Sequence, residues 1–239
     1  MRRQLGRTSG GRVLDVATGH GDFALLLVRS LADYDEVIGI DTDQTSLATA
    51  RRAAARQGLT QVRFRKMDAA SLLFPDASFD TVAVSNSLHH LRDPRQVLAE
   101  MMRVLKPAGL FIVREMYRDR LTAAQKSHLL FHHLRSDIDT ANGVFHRHTY
   151  QRRVLERMYR SLGLTGFRLF DLGAGDDDPR TTEAPRHLIR MLDIWRRRPV
   201  DLPGIRLRIE AVEKHIRQHG FLPASSLVGI GRKPRTGKR

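Results

Sequence analysis

Two groups of residues in this chain have the types and spacing to do chemistry. The first is Val13-Leu-Asp-Val-Ala-Thr-Gly19-His-Gly21-Asp-Phe-Ala24, read with Asp41 at the end of the next apolar run, Val37-Ile-Gly-Ile40. Glycine at positions 19 and 21 removes side chains that would hold a ligand off the backbone, and a helix starting behind the turn leaves N–H groups without partners. A carboxylate at position 41 can accept two hydrogen bonds from vicinal ribose hydroxyls. This Gly-x-Gly-x-x-Ala spacing serves two ligand classes. A nicotinamide dinucleotide puts its pyrophosphate on the helix N-terminus, whereas S-adenosylmethionine (SAM), which has no phosphate, places its methionine portion by the same loop.

The second group is a set of histidines between Glu115 and Tyr150: His128, His132, His133, His146 and His148. Leu121 to Asp137 reads as a helix, which sets His128 beside His132 and His133 beside Asp137, each pair at a spacing of four. His146 and His148 share a face if their segment is extended. Three accounts compete. The segment is a lid whose His133 and Asp137 form a base and its orienting carboxylate; or a divalent-metal site of His128, His132 and one of His146, His148 or Asp139; or a polar interface lining. No His-Glu-x-x-His or other recognised metal spacing is present, so no metal ligand is assigned and the lid is the preferred reading.

Alternating strand and helix signals must position these groups. Strands are predicted from Val13, over 36–40, 61–65, 79–85, 110–114 and 167–172, and over 225–231; helices over 22–31, 46–57, 93–105, 149–162, 185–197 and 203–219. The capping signals are Asp43 to Ser46, Pro94 at a first turn, and Thr149. Two segments interrupt the pattern, at 116–148 and 173–222. The chain is therefore expected to be one domain over residues 1–239 with a lid insertion, a helical insertion and a disordered tail over 232–239. Ile194 and Trp195 offer an apolar wall for a substrate or a homodimer contact, ordinary packing being the simpler use.

Composition excludes several classes. There is no cysteine, so disulfides and thiolate chemistry are ruled out. No apolar run reaches membrane-span length and no signal peptide is visible, which predicts a soluble cytoplasmic protein. The net charge of +15 leaves nucleic acid open as a partner, but no stretch interleaves aromatic and basic residues as a platform for stacking bases.

The later motifs separate the two ligand classes. Val62-Arg-Phe64 leads to Met67-Asp68-Ala69, and Phe74-Pro-Asp-Ala-Ser-Phe79-Asp80 leads into Thr81-Val-Ala-Val84; Lys106-Pro-Ala-Gly109 then turns into the next strand. This order resembles the class I SAM-dependent methyltransferases, particularly the ubiquinone and menaquinone branch with its Asp-Val-Ala-x-Gly-x-Gly loop. The resemblance covers about residues 11–175 and the last strand. It implies a Rossmann-like, seven-stranded, mostly parallel sheet of order 3-2-1-4-5-7-6 with helices on both faces.

It also implies SAM as cofactor and a small-molecule acceptor with an oxygen, nitrogen or carbon nucleophile. By the same resemblance, Asp15, Ala17, Gly19 and Gly21 surround the methionine portion and Asp41 and Thr42 the ribose. Asp68 and Ala69 hold adenine, and Ser85 and Asn86 lie beneath the sugar and sulfur. His133 is the first candidate base, His90 the second, and Glu115 at the end of the fifth strand also faces the acceptor in this reading. Many relatives carry a covering helix ahead of the glycine loop; twelve short polar residues leave no room for it here, so the cover is built elsewhere or the start is late. An RNA methyltransferase is the alternative, but Ser85-Asn-Ser-Leu stands where enzymes acting on exocyclic base amines have Asn-Pro-Pro-Tyr. A non-catalytic SAM-binding scaffold is the other.

Overall fold

The computed structural model describes residues 5–173, 178–179, 183–197 and 202–235. In order they form β1 (Arg12–Val16), α1 (Asp22–Ser30), β2 (Glu36–Asp41), α2 (Gln44–Arg56), β3 (Val62–Lys66), β4 (Phe79–Ser85) and a single 3-10 turn at Leu88–His90. Then follow α3 (Pro94–Val104), β5 (Leu105–Met116), α4 (Ala123–Ala141), α5 (Arg152–Arg160), β6 (Thr165–Leu172), α6 (Ala184–Arg197), α7 (Ile205–His219) and β7 (Ser226–Arg232). The sheet order is β3-β2-β1-β4-β5-β7-β6, as expected. Strands β1 to β5 pair in parallel, and β7 inserts antiparallel between β5 and β6.

The strands are apolar on both faces because both are covered. On one face, Leu14, Val16, Ile38, Ile40, Val82 and Val84 pack with Val97, Leu98 and Met101 of α3 and with Leu155 and Tyr159 of α5. On the other, Val13, Val37, Ala83 and Ile112 pack with Ala24 and Leu27 of α1 and with Leu47 and Ala50 of α2. The helices inserted after β5 and after β6 share a third cluster, in which Phe131, Leu134 and Ile138 of α4 meet Leu192 of α6 and Ile209, Val212 and Ile216 of α7. Trp195 stacks on Phe131 with centroids 4.9 Å apart, so its ring is used in packing. Among the described residues no helix is long and apolar enough to cross a membrane.

Several boundaries move for local reasons. Helix α2 begins at Gln44 because Asp43 takes the cap, accepting from the Thr45 and Ser46 N–H groups. Helix α4 starts after Thr122, which forms a reciprocal capping box with Gln125, and runs one turn past Asp137 to Ala141. Thr149 is not a cap: it is buried beside His133, and Gln151 occupies the cap position of α5. The expected turn at 106–109 lies within the span of β5, where Ala108 has φ +61° and the register against β4 shifts between Phe79 and Thr81. Arg232 ends β7, and the next side chain is held, Lys233 Nζ donating to the Met102 and Leu105 carbonyls. Of the tail expected to be disordered, 236–239 fall outside the described residues, as does most of the turn-rich segment after Gly173.

Gly21 caps α1 at φ +85°, and a Cβ there would fall 2.9 Å from Ala50 Cβ and 3.0 Å from Phe64 Cζ. Gly21→Ala should lower stability by about 1–3 kcal/mol through left-handed strain and crowding. A urea titration checks this: the midpoint should fall while the denaturant slope stays unchanged.

Candidate functional site

The carboxyl ends of β1, β2 and β4 open onto one cavity of about 890 Å³. An open parallel sheet holds ligands there, because the chain diverges from the strand ends and leaves backbone groups unpaired. Ala17, Thr18, Gly19 and His20 form its floor, Asp41 to Asp43 one rim, and Met67 to Ala69 the next. Ser85, Asn86, Ser87, His90 and Leu91 form the far wall, and Arg135, Asp139, Val144 and Phe145 overhang it from α4 and the segment after it.

The glycine turn is shaped by hydrogen bonds. Gly19 has φ +53°, and its N–H donates to Asp41 Oδ2 at 2.8 Å; a Cβ at Gly19 would meet nothing within 4 Å. Gly19 is therefore open for ligand approach, whereas Gly21 lies off the cavity wall and serves helix packing. Asp41 Oδ1 accepts from the Asp43 N–H at 2.9 Å, so both oxygens are oriented and each keeps lone-pair capacity toward the cavity. Asp68 Oδ1 accepts from the Ala70 N–H at 2.8 Å, which fixes that carboxylate on the rim.

Asp15 stands behind the floor rather than on it. It is 1 % exposed; its Oδ2 accepts from Thr18 Oγ1 at 2.6 Å, and its Oδ1 is buried with no hydrogen-bond partner among the described residues. Burial pushes its carboxyl up to about 7. Of the thirteen residues named from sequence as catalytic or cofactor-binding, Ala17, Gly19, Asp41, Thr42, Asp68, Ala69, Ser85, Asn86 and His90 line the cavity.

The remaining catalytic candidates are placed elsewhere. Glu115 is fully buried and turned away from the cavity: Oε2 accepts from the Leu88 N–H at 2.7 Å, while Oε1 accepts from the Met116 N–H at 2.9 Å and pairs with His89 Nδ1 at 3.0 Å. His133 does not pair with Asp137. Its Nε2 accepts from the Thr149 N–H at 3.2 Å and lies 3.0 Å from Thr149 Oγ1, while its ring stacks on His148 at 4.0 Å. Asp137 is taken by His148 Nε2 at 2.9 Å and by Arg208. Burial lowers His133 to about 4, so it is uncharged at neutral pH but does not line the cavity.

His128 likewise leaves the set weighed for it, because its Nδ1 accepts from the Ala224 N–H at 2.9 Å. His132 instead meets His89 and His146, and burial together with those neighbours holds it well below the usual imidazole range. His90 opens onto the cavity, yet crowding by protein, His89 and His146 takes it down to about 3.

Two polar atoms in the cavity wall have no partner among the described residues. Asn86, held at φ +49°, buries an unpaired Oδ1, and Arg114 buries an unpaired Nε; desolvation lowers the Arg114 pKa. Arg114 escapes the sequence reading, although a cation closing the apolar run Leu110-Phe-Ile-Val113 at a strand's carboxyl end is a usable signal. Unpaired buried groups of this kind cost about 1–3 kcal/mol each unless a ligand satisfies them.

The Asp15 geometry generates a pH dependence. A carboxyl raised from 3.8 to about 7 on folding binds a proton that the unfolded chain has lost, so stability falls as pH rises across that interval and levels off above it. Asp15→Asn should remove that fall, gaining up to about 4 kcal/mol over the wild type at pH 8 and nothing near pH 3. Urea unfolding at a series of pH values measures it.

Comparison with known proteins agrees with this arrangement. Residues 7–166 match the family model described as a methyltransferase domain. A demethylmenaquinone methyltransferase of Thermus thermophilus is 44% identical over 104 residues, 44% of this chain and 46% of that protein. The ubiquinone/menaquinone biosynthesis C-methyltransferase UbiE of Teredinibacter turnerae is 33% identical over 123 residues, 51% of this chain and 49% of that protein. The chain thus spans about half the length of the curated relatives it matches. The crystal structure of YcgJ from Bacillus subtilis shares the fold with a TM-score of 0.65 at 22% identity, covering 99% of this chain and 97% of that one. With two thirds of its length under the family model and the sheet order predicted for it, the chain belongs to the class I SAM-dependent methyltransferase family.

Proposed function

We propose that this protein transfers a methyl group from SAM to a small-molecule acceptor in the cytoplasm. The observation that carries the reading is that two oriented carboxylates, Asp41 and Asp68, flank one cavity whose floor is the open Gly19 turn. In this reading Asp41 and Thr42 take the ribose and Asp68 and Ala69 take adenine. Ala17 and Gly19 bring backbone to the amino-acid portion, Asp15 braces that turn through Thr18, and Ser85 lies beside the unpaired Asn86 Oδ1, which offers an acceptor. SAM supplies a methyl group already activated on a sulfonium.

The chain's own work is then alignment, exclusion of water and control of the acceptor's proton. Leu91, Val144 and Phe145 give the far side of the cavity an apolar portion beside its polar groups, and Arg92 and Arg147 stack their guanidinium groups on Phe145 at 4.9 and 5.1 Å. An apolar ring bearing an ionisable oxygen suits that wall. Arg114 would hold the oxygen as an anion, which raises electron density at a neighbouring ring carbon, and uncharged His90 offers a nitrogen lone pair to an acceptor hydroxyl. The relatives' names, which refer to quinone biosynthesis, accord with this acceptor class. In this reading the segment 116–148 serves as a lid, its Arg135, Asp139, Val144 and Phe145 overhanging the cavity, and Glu115 orders the turn after β4 through the Leu88 N–H and His89 rather than touching the acceptor.

Calorimetry tests the cofactor assignment. Asp41→Ala should weaken SAM binding by about 1–3 kcal/mol, with NAD failing to bind either protein; unchanged SAM affinity would remove the ribose role. Arg114→Gln should cut methyl incorporation into a phenolic or hydroquinone acceptor by ten- to a thousandfold, on the order of 1.4–4 kcal/mol, while SAM affinity changes little. If instead SAM affinity collapses, Arg114 belongs to the cofactor.

A further inference from the structure

His89, His132 and His146 come from the turn after β4, from α4 and from the segment after α4. Their ring nitrogens converge. His132 Nε2 lies 3.0 Å from His89 Nε2 and 3.3 Å from His146 Nε2, and one ligand atom from each of the three rings falls within 4.8 Å of the others. His89 and His146 are almost wholly buried.

The outer nitrogens settle which lone pairs point inward. His89 Nδ1 is 3.0 Å from Glu115 Oε1, and His146 Nδ1 is 2.8 Å from Asp139 Oδ2. An ionised carboxylate only accepts, so each Nδ1 carries a proton, and in the neutral ring each Nε2 presents a lone pair. Neutral His132 has at most one proton on Nε2 and can satisfy one of these neighbours, not both. The remaining lone pairs face one another in a buried place, an arrangement that a cation resolves. Two nitrogens bound tetrahedrally to zinc at about 2.0–2.1 Å lie about 3.3–3.4 Å apart, close to the separations seen.

We propose that His89, His132 and His146 form a binding site for a divalent first-row transition metal, zinc by preference, with Glu115 and Asp139 as the carboxylates that orient two of its ligands. Neutral imidazoles suit zinc, and a carboxylate on the far nitrogen of a ligating histidine fixes its tautomer and raises its basicity. The ion would pin α4 and the segment over 142–149 to the carboxyl ends of β4 and β5. Directly in front of it stands His90, whose ring lies 4.0 Å from that of His146 and faces the cavity. The metal thereby sets the position of the acceptor wall, and the proposal holds whatever molecule is methylated.

The test is titration of the full chain, tag-free and stripped with chelator, with Co²⁺, followed by visible absorption and by X-ray absorption at the cobalt edge. One equivalent should bind saturably, with d–d bands and a first shell of imidazole nitrogen. His132→Ala should lose at least about tenfold in affinity, and Glu115→Gln and Asp139→Asn about ten- to a hundredfold each. His128→Ala should bind as the wild type does, because His128 Nδ1 is engaged by the Ala224 N–H. Absence of saturable binding by the folded wild type overturns the proposal without recourse to any variant. So does Co²⁺ affinity in His132→Ala equal to that of the wild type, which would place the ion on other histidines. Neither result depends on SAM binding or methyl transfer.

Discussion

The hydrogen bond from the Gly19 N–H to the Asp41 carboxylate is the constraint on which the site depends. It joins the turn after β1 to the end of β2, and it does so only because Gly19 can take φ +53° with its missing Cβ facing open space. The parallel register of β1 with β2, Val16 opposite Ile40, brings those two ends level. Asp41 also accepts from the Asp43 N–H, and Asp43 in turn caps α2, so one chain of carboxylate–amide bonds runs from the glycine turn into the next helix. Breaking the first link would loosen the cavity floor and its rim together.

On the opposite side of the cavity Glu115 plays a comparable part from within. Buried completely at the end of β5, it orders the turn after β4 through the Leu88 N–H and His89, and so fixes where His90 meets the cavity. A carboxylate without exposure survives there because both its oxygens accept hydrogen bonds, which offsets the cost of removing the charge from water. Its separation from the cavity also explains why it is poorly placed to take a proton from an acceptor. The charged group that does reach that wall is Arg114, one residue earlier, since successive side chains on a strand point to opposite faces.

The net charge of +15 finds a plain structural explanation for part of its arginine. Arg103 bridges Glu100 and Asp76, Arg152 joins Asp171 and Glu156, and Arg196 and Arg217 both reach Glu213. These are surface or half-buried ion pairs, each worth little on its own. They give those arginines a use within the fold, independent of any polyanionic partner.

The strands, the glycine turn and the rim carboxylates were legible from residue order, because each is written in local signals: apolar runs of strand length, glycine where φ must be positive, and an acidic residue at a strand end; the order of the strands in the sheet came from the resemblance to the methyltransferase family. Helix ends were less legible. Asp43 and Thr122 decide two of them by accepting from first-turn N–H groups, whereas Gln151 stands at the start of α5 without a side-chain cap. Pairing by a spacing of four did not find the hydrogen-bond partners: His133 does not bond Asp137, and His128, with its ring 6.3 Å from that of His132, accepts from the Ala224 N–H, because spacing along one helix reports only which residues share its face. His132 meets His89 and His146, His133 meets Thr149, and Asp137 meets His148 and Arg208, groups supplied by the turn after β4, the chain beyond α4, and α7. Only long-range packing could choose among them: α4 is held by the shared apolar cluster with α6 and α7, and that docking, absent from any local pattern, sets which nitrogens meet.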